Sequence, residues 1–139
     1  MTEYTKISFQ HRRAREIGDL TDLVEVLFPG NRNQQHAAAR MLLALRAADA
    51  PVKDLAQLED RYGISRRTLQ RARAKLARLG LIEHVSGLNT RYLGQHGWRL
   101  SGRMSTGLRQ LADRIDAWRH EHRRDAIAKE EVLVGLLQR

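Results

Sequence analysis

Residues 62–84 read YGISRRTLQRARAKLARLGLIEH. Between Ser65 and Leu79 stand six Arg or Lys residues and no acid. A solvated helix face ordinarily mixes both signs, because opposite charges four residues apart attract and like charges repel. A run this one-sided carries a self-repulsion that only a group outside the run offsets, and a polyanion is the natural counterpart. Placed 100° apart on a helix, Leu69, Ala72, Leu76 and Leu79 gather on one side, the core side. Opposite them fall Arg67, Gln70, Arg71, Ala74 and Arg78. Arg66 and Arg73 lie on one flank, Thr68 and Lys75 on the other.

The rest of the chain does not share this bias. Residues 61–103 hold ten basic side chains and a single acid, Glu83, while residues 1–60 and 104–139 are close to neutral. The whole formal excess of +9 therefore sits in one block of the 139 residues. Of the 25 basic residues 21 are Arg. Arg presents a planar fork that matches phosphate or guanine, but its abundance alone also reflects genome composition. A compositional bias would have spread the charge; its concentration points to a negatively charged partner.

Working outward, the helix reads 65–79, with Ser65 as its N-cap and Gly80 as its left-handed C-cap. Before it, Gly63 ends a short helix over about 52–62, whose buried stripe is Leu55, Leu58 and Tyr62, and Ile64 packs inward. Pro51 suits that helix's first turn. Apolar spacing predicts a further helix over 33–48, with Ala38, Met41, Leu42 and Leu45 inward, and another over 15–28, ended by Pro29-Gly30. After Gly80, residues 81–85 and 97–101 read as an antiparallel hairpin with a long polar loop, SGLNTRYLGQH, at 86–96. The fold class is mainly α with a small antiparallel β-hairpin. A last helix begins near Ser105 or Thr106, carrying Leu108, Leu111, Ile115 and Trp118 at spacings of three, four and three. HRRD at 122–125 interrupts it before the apolar pattern resumes from Ile127.

The order helix, short helix, glycine turn, basic helix, hairpin resembles the winged helix-turn-helix family of bacterial DNA-binding transcriptional regulators. The resemblance covers about 33–101 and is carried by Ala56, YGIS at the turn, TLQRARAKLARLG in the second motif helix, LIEHV in the first strand and GWRLS closing the wing. It divides the chain into an N-terminal segment, 1–32, a winged helix-turn-helix domain, 33–103, and a C-terminal helical segment, 104–139. It implies that helix 65–79 enters the major groove of double-stranded DNA, with Arg66, Arg67, Gln70 and Arg71 reading bases. Independently, the outward face offers a fork for guanine (Arg), an amide for adenine (Gln) and a methyl for thymine (Ala74), while the flanks suit phosphates. Arg91 and Tyr92 in the wing would follow the backbone or enter the minor groove. The expected DNA-contacting set is Ser65, Arg66, Arg67, Thr68, Gln70, Arg71, Ala74, Lys75, Arg78, Arg91 and Tyr92.

One such module buries too little for high affinity, so a homodimer is expected, with the seam Leu108, Leu111, Ile115 and Trp118 as its surface and helix 15–28 assisting. The chain has no cysteine, which excludes thiolate metal sites and disulfides. No signal-peptide or membrane-length apolar run appears, so a cytoplasmic protein is expected. The six histidines do not space as ligands: His120 and His122 face different ways, and Asp116 with His120 reads as a hydrogen bond four residues apart. Neither a nucleophile elbow nor a phosphate loop is present, so no catalytic residue, cofactor or metal is assigned, and no effector is identified. Two other roles share the pattern: plasmid or phage replication or partition, and a winged helix serving as a protein-interaction module. The latter calls for an apolar or acidic outward face on helix 65–79.

Overall fold

A computed structural model describes residues 5–86 and 95–138. In chain order the elements are α1 (His11–Ala14), α2 (Leu20–Leu27), α3 (Arg32–Ala47), α4 (Gln57–Tyr62), α5 (Arg66–Leu79), β1 (Ile82–Val85), β2 (Gly97–Leu100), α6 (Arg103–Arg119) and α7 (Arg124–Gly135), with a 3-10 turn at Leu136–Gln138 after them. The chain divides into two compact units, Met1–Met104 and Ser105–Arg139. Among the described residues no helix is long and apolar enough to cross a membrane.

In the first unit α3 is the spine, packing against α2, α5 and β2. The inward residues expected of it, Ala38, Met41, Leu42 and Leu45, are buried, and Ala37 joins them. Its alanines keep that face low enough for α5 to approach, and Leu69, Ala72 and Leu76 of α5 complete the contact. Among the described residues the buried core is wholly apolar, so its stability rests on burial, at ~25 cal/mol per Å² removed from water.

The turn into α5 forms as the local residues dictate. Gly63 takes φ 65° and Gly80 φ 89°, the left-handed caps. Ile64, just after the first of them, is buried in the core. The Ser65 hydroxyl accepts the Thr68 backbone N–H at 3.1 Å and donates to the Thr68 hydroxyl at 2.8 Å. Ser65→Ala leaves that N–H without its partner and should cost about 1 kcal/mol. Urea unfolding should show a lower midpoint at unchanged slope; an unmoved midpoint would mean that the cap contributes nothing to stability.

Three helix starts lie two or more residues from those expected of the sequence. The helix expected over 15–28 starts only at Leu20, because Asp19 caps it by accepting the Asp22 N–H, and Ile17 before Gly18 stays more than a third exposed. The helix expected over 52–62 starts at Gln57. Val52 is instead extended and exchanges two backbone hydrogen bonds with Trp98, both 2.8 Å, adding a third short rung beside β2. Asp54 then turns the chain by accepting the Ala56 N–H. The helix expected from Ser105 begins two residues earlier, where the Ser101 hydroxyl accepts the Arg103 N–H.

The two strands pair antiparallel, Ile82 opposite Leu100 and Val85 opposite Gly97. The expected loop of this hairpin falls largely on residues 87–94, outside the described residues. Segment 1–32 is not separate from residues 33–103: its Val24, Leu27 and Phe28 are all buried in the same core as α3.

Candidate nucleic-acid interface

The core fixes the rotation of α5, and that rotation decides which cations meet solvent. With Leu69, Ala72 and Leu76 buried, Arg66, Arg67, Gln70, Arg71, Ala74 and Arg78 are exposed. All five residues predicted outward from the helical wheel, Arg67, Gln70, Arg71, Ala74 and Arg78, are exposed, and Arg66 from the flank and Ala77 join them. Ser65 is exposed at the start of this face and Thr68, bound to it, is half-buried.

The acids are disposed so as not to quench it. Glu83, the lone carboxylate of the basic block, is 10% exposed and holds Arg99, and Arg103 at 3.2 Å, on the hairpin and the start of α6. Among the described residues Arg66, Arg67 and Arg71 have no ion-pair partner. Three guanidiniums thus share two turns of one helix with no carboxylate paired to them among the described residues. Like charges so placed repel one another, and an anion would relieve that repulsion.

The flanking cations do other work that the wheel did not reveal. Arg73 sits over the Trp98 ring, 5.0 Å from its centroid, and Trp98 meets the edge of His84 at 5.1 Å. This stack ties α5 to both strands. Lys75 lies over the Phe28 ring at 4.7 Å, joining α5 to the end of α2. Burial, and secondarily the nearby Arg78, hold its ammonium below the usual lysine pKa. Arg78 donates to the Thr5 hydroxyl at 3.2 Å. Lys75, expected on a phosphate, therefore also carries a packing role, since a lysine stem covers apolar surface while its head reaches outward. No periodicity within α5 signals these partners, because they come from residues 5, 28 and 98.

Beside the start of α5 is a polar hollow of about 170 Å³ lined by Asn33, His36, Gly63, Ile64, Ser65 and Thr68. It lies between the first turns of α3 and α5. The wing residues Arg91 and Tyr92 fall outside the described residues.

The expected seam residues occupy α6 in the second unit. Leu108, Leu111, Ile115 and Trp118 are between 49% and 62% exposed. Among the described residues of 105–138 none is buried. Of the helix expected over 15–28, Val24, Leu27 and Phe28 are buried in the core of the first unit, while Ile17, Leu20, Leu23 and Val26 remain at least partly accessible. His120 closes a 2.7 Å hydrogen bond between its ring Nδ1 and the Asp116 carbonyl. The expected four-residue pairing is thus made to the backbone, not to the carboxylate.

Compared with known proteins, the chain matches no family model, no curated protein and no solved structure.

Proposed function

We propose that residues 33–103 act as a winged helix-turn-helix domain and that the protein is a sequence-specific, double-stranded-DNA-binding regulator of transcription, working as a cytoplasmic homodimer. The observation that carries this reading is the exposed face of α5, where Arg66, Arg67 and Arg71 stand beside Gln70 and Ala74 with no acid among them. An α-helix fits the major groove, and these side chains supply donors for guanine, a two-way amide for adenine and a methyl for thymine. The order α3, α4, glycine turn, α5 and β1–β2 hairpin is the order on which the resemblance rests, and it supports this reading. A protein-interaction role is less well supported, since a partner protein would have to bring the acids that this face lacks.

Selection from a random duplex pool at two salt concentrations tests the proposal. Enrichment of a two-fold motif is expected, with half-site centres about 34 Å or a multiple apart. Affinity should fall roughly 10³- to 10⁵-fold between about 50 and 200 mM salt if six to ten phosphates are contacted. Retention without any enriched sequence would point to a coating role, and no binding at low salt would end the DNA reading.

Single substitutions sort the contacts. Arg67→Ala or Arg71→Ala should weaken the selected site by about 1–3 kcal/mol and random duplex far less. Lys75→Ala should weaken both alike, with a small loss of thermal stability from the bared Phe28 ring. Equal losses on both duplexes for all three variants would mean that α5 grips phosphates only.

A further inference from the structure

Among the described residues the second unit carries an exposed apolar surface with an internal symmetry. Leu108, Leu111, Ile115 and Trp118 stand at spacings of three, four and three, which read the same in both directions about residue 113. From this we infer that α6 pairs with α6 of a second copy antiparallel, across a two-fold axis at the level of Asp113, so that Leu111 meets the partner's Ile115 and Leu108 the partner's Trp118. This rests on the proposed homodimer and fixes its register.

Three observations support a second copy as the occupant. The unit of α6 and α7 has no buried residue among those described, and helices of 17 and 12 residues without tertiary packing are marginal in water. Its stability must come from a surface that covers it. The second observation is that the seam complements itself. Antiparallel pairing sets Trp118 against Leu108 at each end and Leu111 against Ile115 in the two central layers, giving even widths. Parallel pairing would oppose Trp118 to Trp118 at one end and Leu108 to Leu108 at the other, splaying the helices. Antiparallel helices also set opposite dipole ends side by side.

The third observation is area. At ~200 Å² for a large apolar side chain, the exposures of the four seam residues amount to roughly 400 Å² per copy. The surface continues onto α7, because the Trp118 indole N–H donates to Glu130 at 2.6 Å. Ile127, Leu133 and Val134 lie three before, three after and four after Glu130, on that same side of α7, and are about half exposed. They add roughly 300 Å², bringing each copy near the ~800 Å² per partner of a stable interface.

The chain's lack of cysteine makes introduced ones unique. The full-length variants Leu111→Cys and Ile115→Cys are oxidised separately and as a mixture, alongside sedimentation of each in reductant. In the inferred register residue 111 lies within disulfide reach of the partner's residue 115. Two copies of residue 111 are offset by four residues, about 6 Å along the axis, which places their Cα atoms beyond ~7 Å. The expected result is a cross-linked dimer in the mixture and little from either variant alone. Cross-linking of each variant alone, with none added on mixing, would establish a parallel pair and overturn the inference. Dimers by sedimentation with no cross-link in any tube would overturn the register while leaving the dimer standing. Monomers by sedimentation would overturn both.

Discussion

Replacing both Leu111 and Ile115 by Glu is expected to convert the protein from a dimer into a monomer whose first unit stays folded, and to weaken its selected DNA site by roughly 10²- to 10⁴-fold. The physical reason is linkage. When two recognition helices belong to one dimer, the second half-site is bound intramolecularly, at an effective concentration that adds this factor without any new contact. Four carboxylates at the middle of a two-fold seam would each require desolvation without a partner, which no packing gain offsets. The first unit should be untouched, because neither residue belongs to its core. Sedimentation gives the mass, and titration of full and half operators gives the coupling. Binding to a half-site should change little. A variant that stays dimeric would exclude this seam, and a monomer that keeps full operator affinity would break the link between dimerisation and recognition.

The second large effect is expected at Gly97, where Ala should cost about 3 kcal/mol or more. Gly97 is buried at the start of β2 with φ 141°, a backbone conformation that costs an L side chain on the order of 1–3 kcal/mol by itself. A Cβ there would also overlap the Val52 carbonyl group and stand 2.8 Å from the Lys53 nitrogen. Those are backbone atoms, held by the two hydrogen bonds between Val52 and Trp98, so relief requires breaking the rung. Trp98 would then lose the setting in which it meets His84 edge-on and lies under Arg73. For a domain of this size ~3 kcal/mol lowers the melting temperature by roughly 10–20 °C. Gly63→Ala is the control: its φ of 65° is also positive, but a Cβ there meets nothing within 4 Å. It should cost about 1–2 kcal/mol, from backbone strain alone. Equal melting temperatures for the two variants would mean that the Val52 approach is not a constraint.

Much of this protein was legible in the chain itself. The two left-handed glycines, the Ser65 cap, the buried stripe of α5 and its outward Arg67, Gln70, Arg71, Ala74 and Arg78 all come from local rules that act within one helix and its ends. Such rules need only neighbours three or four residues away, so a linear reading reaches them. The one-sided charge of the block around α5 was equally plain, because counting signs requires no coordinates.

The tertiary structure decided the relations between distant residues. Sequence spacing made 52–62 a helix, whereas Val52 is held extended by Trp98, 46 positions away. Spacing gave Lys75 and Arg73 to phosphates, whereas Phe28 and Trp98 come to lie beneath them once α2 and β2 pack on α3 and α5. Gly97 read as the first residue of the second strand; only the approach of residue 52 makes its missing side chain a structural requirement. Glu83 read as the lone acid of a basic block, and only the pairing of β1 with β2 brings Arg99 and Arg103 onto it. Local periodicity determined which face of each helix is apolar, because burial acts on every turn alike; which groups meet across the core depended on how the elements pack, and no local rule encodes that.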